Sequence, residues 1–144
     1  MTLACLIYVV KEFLCCVLAG LCCAAAIATI KYMEEINLNQ KADEVAKIVN
    51  DRFLKLKAKC PAIGDVRGLG AMQAIEFVEN GDPNQPDADT AADLTKACLK
   101  RGLILLTAGT NKNVVRVLSP LVISHEQLNK GLDIIEEELL KITN

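Results

Sequence analysis

Hydrophobic positions divide the chain into one unbroken apolar run and a series of periodic segments. From Phe13 to Ile30 the sequence FLCCVLAGLCCAAAIATI carries no charge over eighteen residues. That length falls between the roughly 20 residues of a bilayer span and the 10–14 of a buried core helix. MTLACLIYVV lacks a positive leading region, and Lys11 and Glu12 interrupt the apolar character before the run begins, so the start does not read as a secretory signal. Five alanines and four cysteines make the run less lipophilic than a Leu- or Ile-rich span. It passes directly into the amphipathic stretch IKYMEEINLNQKADEVAKIVNDRFLKL. This continuity predicts a helix whose first turns are buried rather than a membrane anchor.

Periodicity then sets out the remaining elements. Leu38, Ala42, Val45, Ile48, Val49, Phe53 and Leu56 recur at three- and four-residue intervals, predicting a helix over Ile36–Leu56 that must end before Cys60-Pro61. In AIGDVRGLGAMQAIEFVENGD, Val66, Leu69, Met72, Ala74, Ile75, Phe77 and Val78 sit among Gly64, Gly68, Gly70 and Gly81, the pattern of bent or bulged strands with close backbone approaches. NGDPNQPDAD is a turn-rich connector whose acidic end suits the cap of a helix over Ala88–Lys100, with Gly102 as its exit residue. Strands follow at Leu103–Thr107 and Asn113–Ser119, the second limited by Pro120. Ser124 and Gln127 then form the S-x-x-Q signature of a capping box, ahead of an amphipathic helix with Leu128, Leu132, Ile135 and Leu139 on one face. The predicted class is α+β, with helices packed on a small, largely antiparallel sheet.

Composition changes this picture little. The 144 residues suit a single domain, the 24% charged and 52% hydrophobic fractions are ordinary, and a net charge of −2 gives no broad attraction to nucleic acid. Seven cysteines, odd in number and including the adjacent pairs Cys15-Cys16 and Cys22-Cys23, point to reduced thiols in a cytoplasmic core rather than a disulfide framework. Structural zinc sites use C-x2-4-C spacing, and adjacent helical residues point about 100° apart, so the pairs read as buried small hydrophobes and no metal site is assigned. His125 follows the cap residue Ser124 without a nucleophile pattern nearby and reads as an ordinary surface histidine. The glycines of VRGLGAMQA neither form GxGxxG nor open a helix, which argues against a dinucleotide site.

Several separated segments resemble one known family. GDVRGLGAMQAIEFVENGDPNQPDAD, RGLILLTAG, NVVRVLSPLVIS and GLDIIEEELL are similar, in family order, to the C-terminal part of class-III pyridoxal-phosphate aminotransferases of the 4-aminobutyrate type. AGLCCAAAIATIKYMEEINL resembles the family's AGNPLACAAALAVL helix, which again favours a helix buried in the intact family; there the large domain and the dimer partner partly cover it, so for this chain alone the resemblance implies that Phe13–Ile30 is left as an exposed apolar patch. The resemblance covers roughly Ala19 to the C-terminus. It implies an unmatched apolar segment over residues 1–18 and the family's small C-terminal domain over residues 19–144. Relative to the family pattern, the Asn-Pro after Gly20 is missing, and Val17 stands where the family has a threonine that reaches a cofactor phosphate.

The same resemblance limits the chemistry. Transamination needs a lysine to hold pyridoxal phosphate as an imine and a group that keeps the pyridine ring protonated. The family carries both in a large domain, and no segment here matches those motifs. Every lysine lies in a stretch that reads as solvated helix or turn, so no catalytic and no cofactor-binding residue is assigned. One role carries over: NVVRVLSPL places Arg116 where the family's NVxRxxPP-like segment binds the substrate carboxylate, a task suited to the planar fork of a guanidinium. The resemblance thus implies a truncated or split class-III aminotransferase. Its relatives move an amino group from an ω-amino acid to a 2-oxo acid, and it would be inactive and without cofactor alone. Its partner would be a large-domain chain or an aminotransferase subunit, with an amino acid bound only after assembly. The competing reading is a non-enzymatic interaction module or a small protein anchored through its apolar N-terminus.

Overall fold

The computed structural model describes the backbone of residues 3–143 and the side chains of residues 18–143. It divides into two compact units, Met1–Leu38 and Asn39–Asn144. In the first, helix α1 spans Leu3–Glu35. The chain then turns at Asn37, whose φ of 49° lies in the left-handed region that asparagine tolerates. The apolar run and the amphipathic stretch therefore form two helices, not one. Every described residue from Leu18 to Glu35 is exposed, including Leu21, Ile27 and Ile30. For the described part of the run this corrects the expectation of buried first turns and agrees with the apolar patch expected of this chain alone; the side chains of residues 13–17 lie outside the described residues. The physical reason is that an apolar helix without a polar face has no single stripe to bury, and needs cover on several sides. Among the described residues no helix is long and apolar enough to cross a membrane.

The second unit contains α2 (Leu38–Lys57), β1 (Ile63–Leu69), β2 (Met72–Phe77), a 3-10 turn at Glu79–Gly81, α3 (Ala88–Lys100), β3 (Leu106–Ala108), β4 (Val114–Leu118) and α4 (His125–Thr143). Its sheet has the order β1-β2-β4-β3, with every pairing antiparallel. Leu69 pairs with Met72, so Gly70 and Ala71 alone make the β1–β2 turn, and Gly70 adopts φ +54°. A register irregularity between Ile63 and Asp65 supplies the anticipated bulge.

The periodic apolar positions meet in one core. Val45, Val49, Phe53 and Leu56 of α2 join Ala91, Leu94 and Cys98 of α3 and Leu128, Leu132, Ile135 and Leu139 of α4. They cover one face of the sheet, from which Ile75, Phe77, Val115 and Val117 project. The helix ends follow the sequence signals. The Asp87 carboxylate accepts from Thr90 N–H at 2.9 Å, and Gln127 N–H donates to Ser124 Oγ at 3.2 Å while Gln127 Oε1 accepts from the Ser124 N–H at 3.4 Å. Gly102, at φ +82°, lets Leu103 N–H reach back to Cys98 O.

The strand at Leu103 is shorter than its composition predicts. Leu103, Ile104 and Leu105 make no ladder, and pairing with β4 begins only at Leu106 opposite Arg116. Leu103 and Leu105 instead pack against the core as partly buried side chains, drawing this segment away from β4.

Two glycines test the packing in opposite directions. A Cβ on Gly68 would lie 2.4 Å from the Met72 carbonyl oxygen, a fixed backbone atom, so Gly68→Ala should destabilise the chain by about 1–3 kcal/mol. Gly131 sits inside α4, where a Cβ would meet Leu103 Cδ1 at 3.7 Å, an ordinary contact. Gly131→Ala should stabilise by about 0.5–1 kcal/mol. Urea denaturation of both variants beside the parent chain checks the two signs.

Candidate functional site

Arg116 occupies the middle of β4, and its surroundings follow from strand alternation. Val115 and Val117 are buried on the helix-facing side, so Arg116 projects from the opposite face. Its neighbours in the same row are Ala74 on β2 and Leu106 on β3, with Arg67 of β1 beyond Ala74. The adjacent row, Leu69, Met72 and Leu118, is apolar and exposed. The open face thus presents a guanidinium beside a small methyl group and a strip of hydrocarbon.

What distinguishes Arg116 is its lack of an ion pair. Arg52 is held by Asp133 at 2.6 Å and Glu136 at 2.9 Å. Arg67 is held by Asp65 and Glu76, and Arg101 by Glu137 and Glu138. Among the described residues Arg116 has no carboxylate partner, and its Nε is buried without a hydrogen-bond acceptor. An unmet buried donor costs about 1–3 kcal/mol. This arrangement differs from an exposed strand arginine paired with a glutamate, and leaves the fork available to an incoming anion.

Beside Arg116 the departure of Leu103–Leu105 from β4 opens a cavity of about 280 Å3 against α4. Leucine, isoleucine and valine dominate its lining, and Arg116, Ser119 and Gln127 border it. Ser119 Oγ is buried and, like Arg116 Nε, has no partner among the described residues. The Gln127 carboxamide oxygen is engaged in the helix cap. Neither lysine nor carboxylate lines this cavity. Ser119 has no motif of its own in the sequence, because the signal is where the chain separates from β4.

The other sequence candidates scatter. His125 opens α4 as an exposed residue. Cys22 and Cys23 are exposed, against the expectation of buried small hydrophobes, because no described neighbour covers that stretch of α1; Cys15 and Cys16 fall outside the described side chains. Cys60 and Cys98 are free and buried, and burial pushes the Cys98 thiol up to about 11, away from reactivity. Among the described residues no three metal-capable side chains gather. Gly68 and Gly70 serve the β1–β2 hairpin.

Hydrogen bonding from Arg67 holds the Asp65 carboxyl below its ordinary value, outweighing the opposing effect of partial burial. A depressed folded pKa means that Asp65 contributes stability fully above its unfolded value near ~4, and loses it as pH falls through the lower folded value. Asp65→Asn should therefore leave a shallower acid limb than the parent chain. Urea midpoints measured from about pH 5 to about pH 2 test this, and an unchanged acid limb would contradict it.

Comparison with known proteins places this geometry in context. The model of the family described as aminotransferase class-III matches residues 19–139. The chain is 47% identical over 117 residues to a probable 4-aminobutyrate aminotransferase of Bacillus subtilis, covering 81% of this chain and 27% of that protein. It is 46% identical over 115 residues to the Escherichia coli 4-aminobutyrate aminotransferase GabT, covering 80% and 27%. Among solved structures, a Bacillus anthracis aminotransferase superposes with a TM-score of 0.73 at 25% identity, over 83% of this chain and 28% of that one. An acetylornithine aminotransferase from Elizabethkingia anophelis gives 0.64 at 31% identity, over 76% and 27%. The chain thus spans about a quarter of the length of these relatives.

Proposed function

The chain belongs to the class-III aminotransferases, and from that premise we propose that residues 19–144 act as the small C-terminal domain of a 4-aminobutyrate-type transaminase, with Arg116 holding the substrate carboxylate. The observation that carries this reading is the unpaired guanidinium. Three arginines are each neutralised by two carboxylates, while the fourth faces an open surface with its Nε unmet. A carboxylate arriving there forms two parallel charge-assisted hydrogen bonds without first displacing an internal partner. Ala74 beside it adds only a methyl group, which leaves room for the ligand.

The family depends on pyridoxal phosphate, which supplies an electron sink when bound. The residues described here do not fit that group. The cavity beside Arg116 offers no lysine and no carboxylate. Every described lysine is exposed except the half-buried Lys57, whose ammonium donates to Gly64 O at 2.7 Å. None lies buried away from water in the setting that activates an imine-forming lysine. The cofactor wall of the site therefore comes from other polypeptide, in the same chain or a separate one. The role of this unit is to bind and orient the acid end of an ω-amino acid against it.

Two measurements test this reading. The 144-residue chain mixed with pyridoxal phosphate, 4-aminobutyrate and 2-oxoglutarate should form no more glutamate than a heat-denatured control. In a transaminase assembled with a class-III cofactor domain, Arg116→Gln should raise KM for 4-aminobutyrate by about 10- to 100-fold, the worth of hydrogen bonds to a charged group. An unchanged KM would remove Arg116 from the carboxylate site.

A further inference from the structure

Helix α1 is apolar on two sides, and both are exposed. Leu18, Leu21, Ile27 and Ile30 each show more than half of their surface, and no charge falls between Phe13 and Ile30. Ile27 and Ile30 lie about two and a half turns beyond Leu18 and Leu21. The four side chains therefore form two faces on opposite sides of the helix. Thr29 carries the one hydroxyl between Leu18 and Ile30, and it already donates to Ala25 O at 2.8 Å. Covering this stretch strands no charged or hydroxyl group.

We propose that α1 is a self-association element: copies of this chain pack their α1 helices together, each helix meeting a neighbour on both apolar faces. The charge pattern selects this occupant. A helix lying on a bilayer needs a polar side rich in Lys or Arg, which the uncharged run lacks, and among the described residues no helix is long and apolar enough to cross one. Another α1 offers an equally uncharged surface over Phe13–Ile30, so no unpaired charge is buried where two such runs meet. Area then sets the size of the assembly. The 33 residues of α1 make a rod about 50 Å long and about 10 Å wide. One face gives about 500 Å2 per chain, short of the ~800 Å2 per partner in a stable interface, while two faces give about 1,000 Å2. A bundle larger than a pair covers both faces, whereas a pair leaves one bare. The contact is α1 against α1, not the large-domain cover of the intact family, and it rests on neither Arg116 nor the transaminase reading.

The cysteines supply a direct test. Cys5, Cys15, Cys16, Cys22 and Cys23 all lie in α1, Cys22 and Cys23 are exposed, and Cys60 and Cys98 in the second unit are buried. A short bismaleimide that joins copies of the 144-residue chain therefore joins α1 to α1. Sedimentation velocity would be run on the parent chain, on Leu18→Lys with Leu21→Lys, on Ile27→Lys with Ile30→Lys, and on all four substitutions together. The parent should sediment as one discrete species larger than a dimer and should crosslink between copies. Charging either face should leave a dimer, and charging both should leave a monomer with an unchanged circular dichroism spectrum in its second unit's β-sheet region. Should the fourfold variant fail to fold, the mass and crosslinks of the parent still decide. A parent no larger than a dimer, or one that forms a polydisperse aggregate, overturns the proposal. Association that survives all four charges or yields no crosslink does the same, as does a variant charged on one face that is already monomeric. A parent that instead pellets with phosphatidylcholine vesicles overturns it in favour of lipid.

Discussion

The second unit depends on the burial of Ile75 and Val115, directly opposed on β2 and β4 and fully enclosed by the three helices. This pair fixes which face of the sheet is inside. Side chains alternate along a strand, so enclosing Val115 and Val117 sends Arg116 to the other face, beside Ala74 and Leu106. A register slip of one residue on β4 would bury the guanidinium and expose two valines. The placement of the one unpaired described arginine is therefore a consequence of the core.

The sheet also creates the space beside that arginine. β3 pairs with β4 over only three residues, and the leucine-rich segment before it packs on the core instead of extending the ladder. A fully paired edge would close this opening. In its place are apolar walls from both strands and α4. The other three arginines each hold two carboxylates. Arg52 links α2 to α4 through Asp133 and Glu136, and Arg101 holds Glu137 and Glu138 at the end of α3. These exposed or half-exposed pairs add only modest stability, but they leave Arg116 as the described arginine without a carboxylate.

Helix α1 follows a different logic. Its described apolar residues face solvent, and Ala, Cys, Leu and Ile are distributed around the helix with no polar stripe opposite them. Exposed apolar residues that follow one another along a single helix differ from the scattered ones ordinary on soluble proteins. The break at Asn37 separates it from the amphipathic α2, whose four core residues recur on one side. The more hydrophobic of the two adjacent helices is thus the exposed one, because only the second has a single face to bury.

The sequence alone determined whatever depends on short-range pattern. The four-residue spacing of Val45, Val49 and Phe53, the caps at Asp87 and Ser124, the exit at Gly102 and the bulged strands around Gly64 and Gly68 are local statements, and the α+β class followed from their order. The family was legible because separated motifs such as GDVRGLGAM and NVVRVLSPL lie in order along the chain. The tertiary structure alone decided what depends on distant contacts. LILLT has the composition of a strand, yet the pull of Leu103 and Leu105 towards α4 prevents it from pairing until Leu106. Nothing near Ser119 in the sequence marks its hydroxyl as unmet, and nothing near Arg116 shows that the other three arginines would consume the nearby carboxylates. Those properties arise from contacts between separate elements, and local periodicity carries no information about which partners remain when the core has closed.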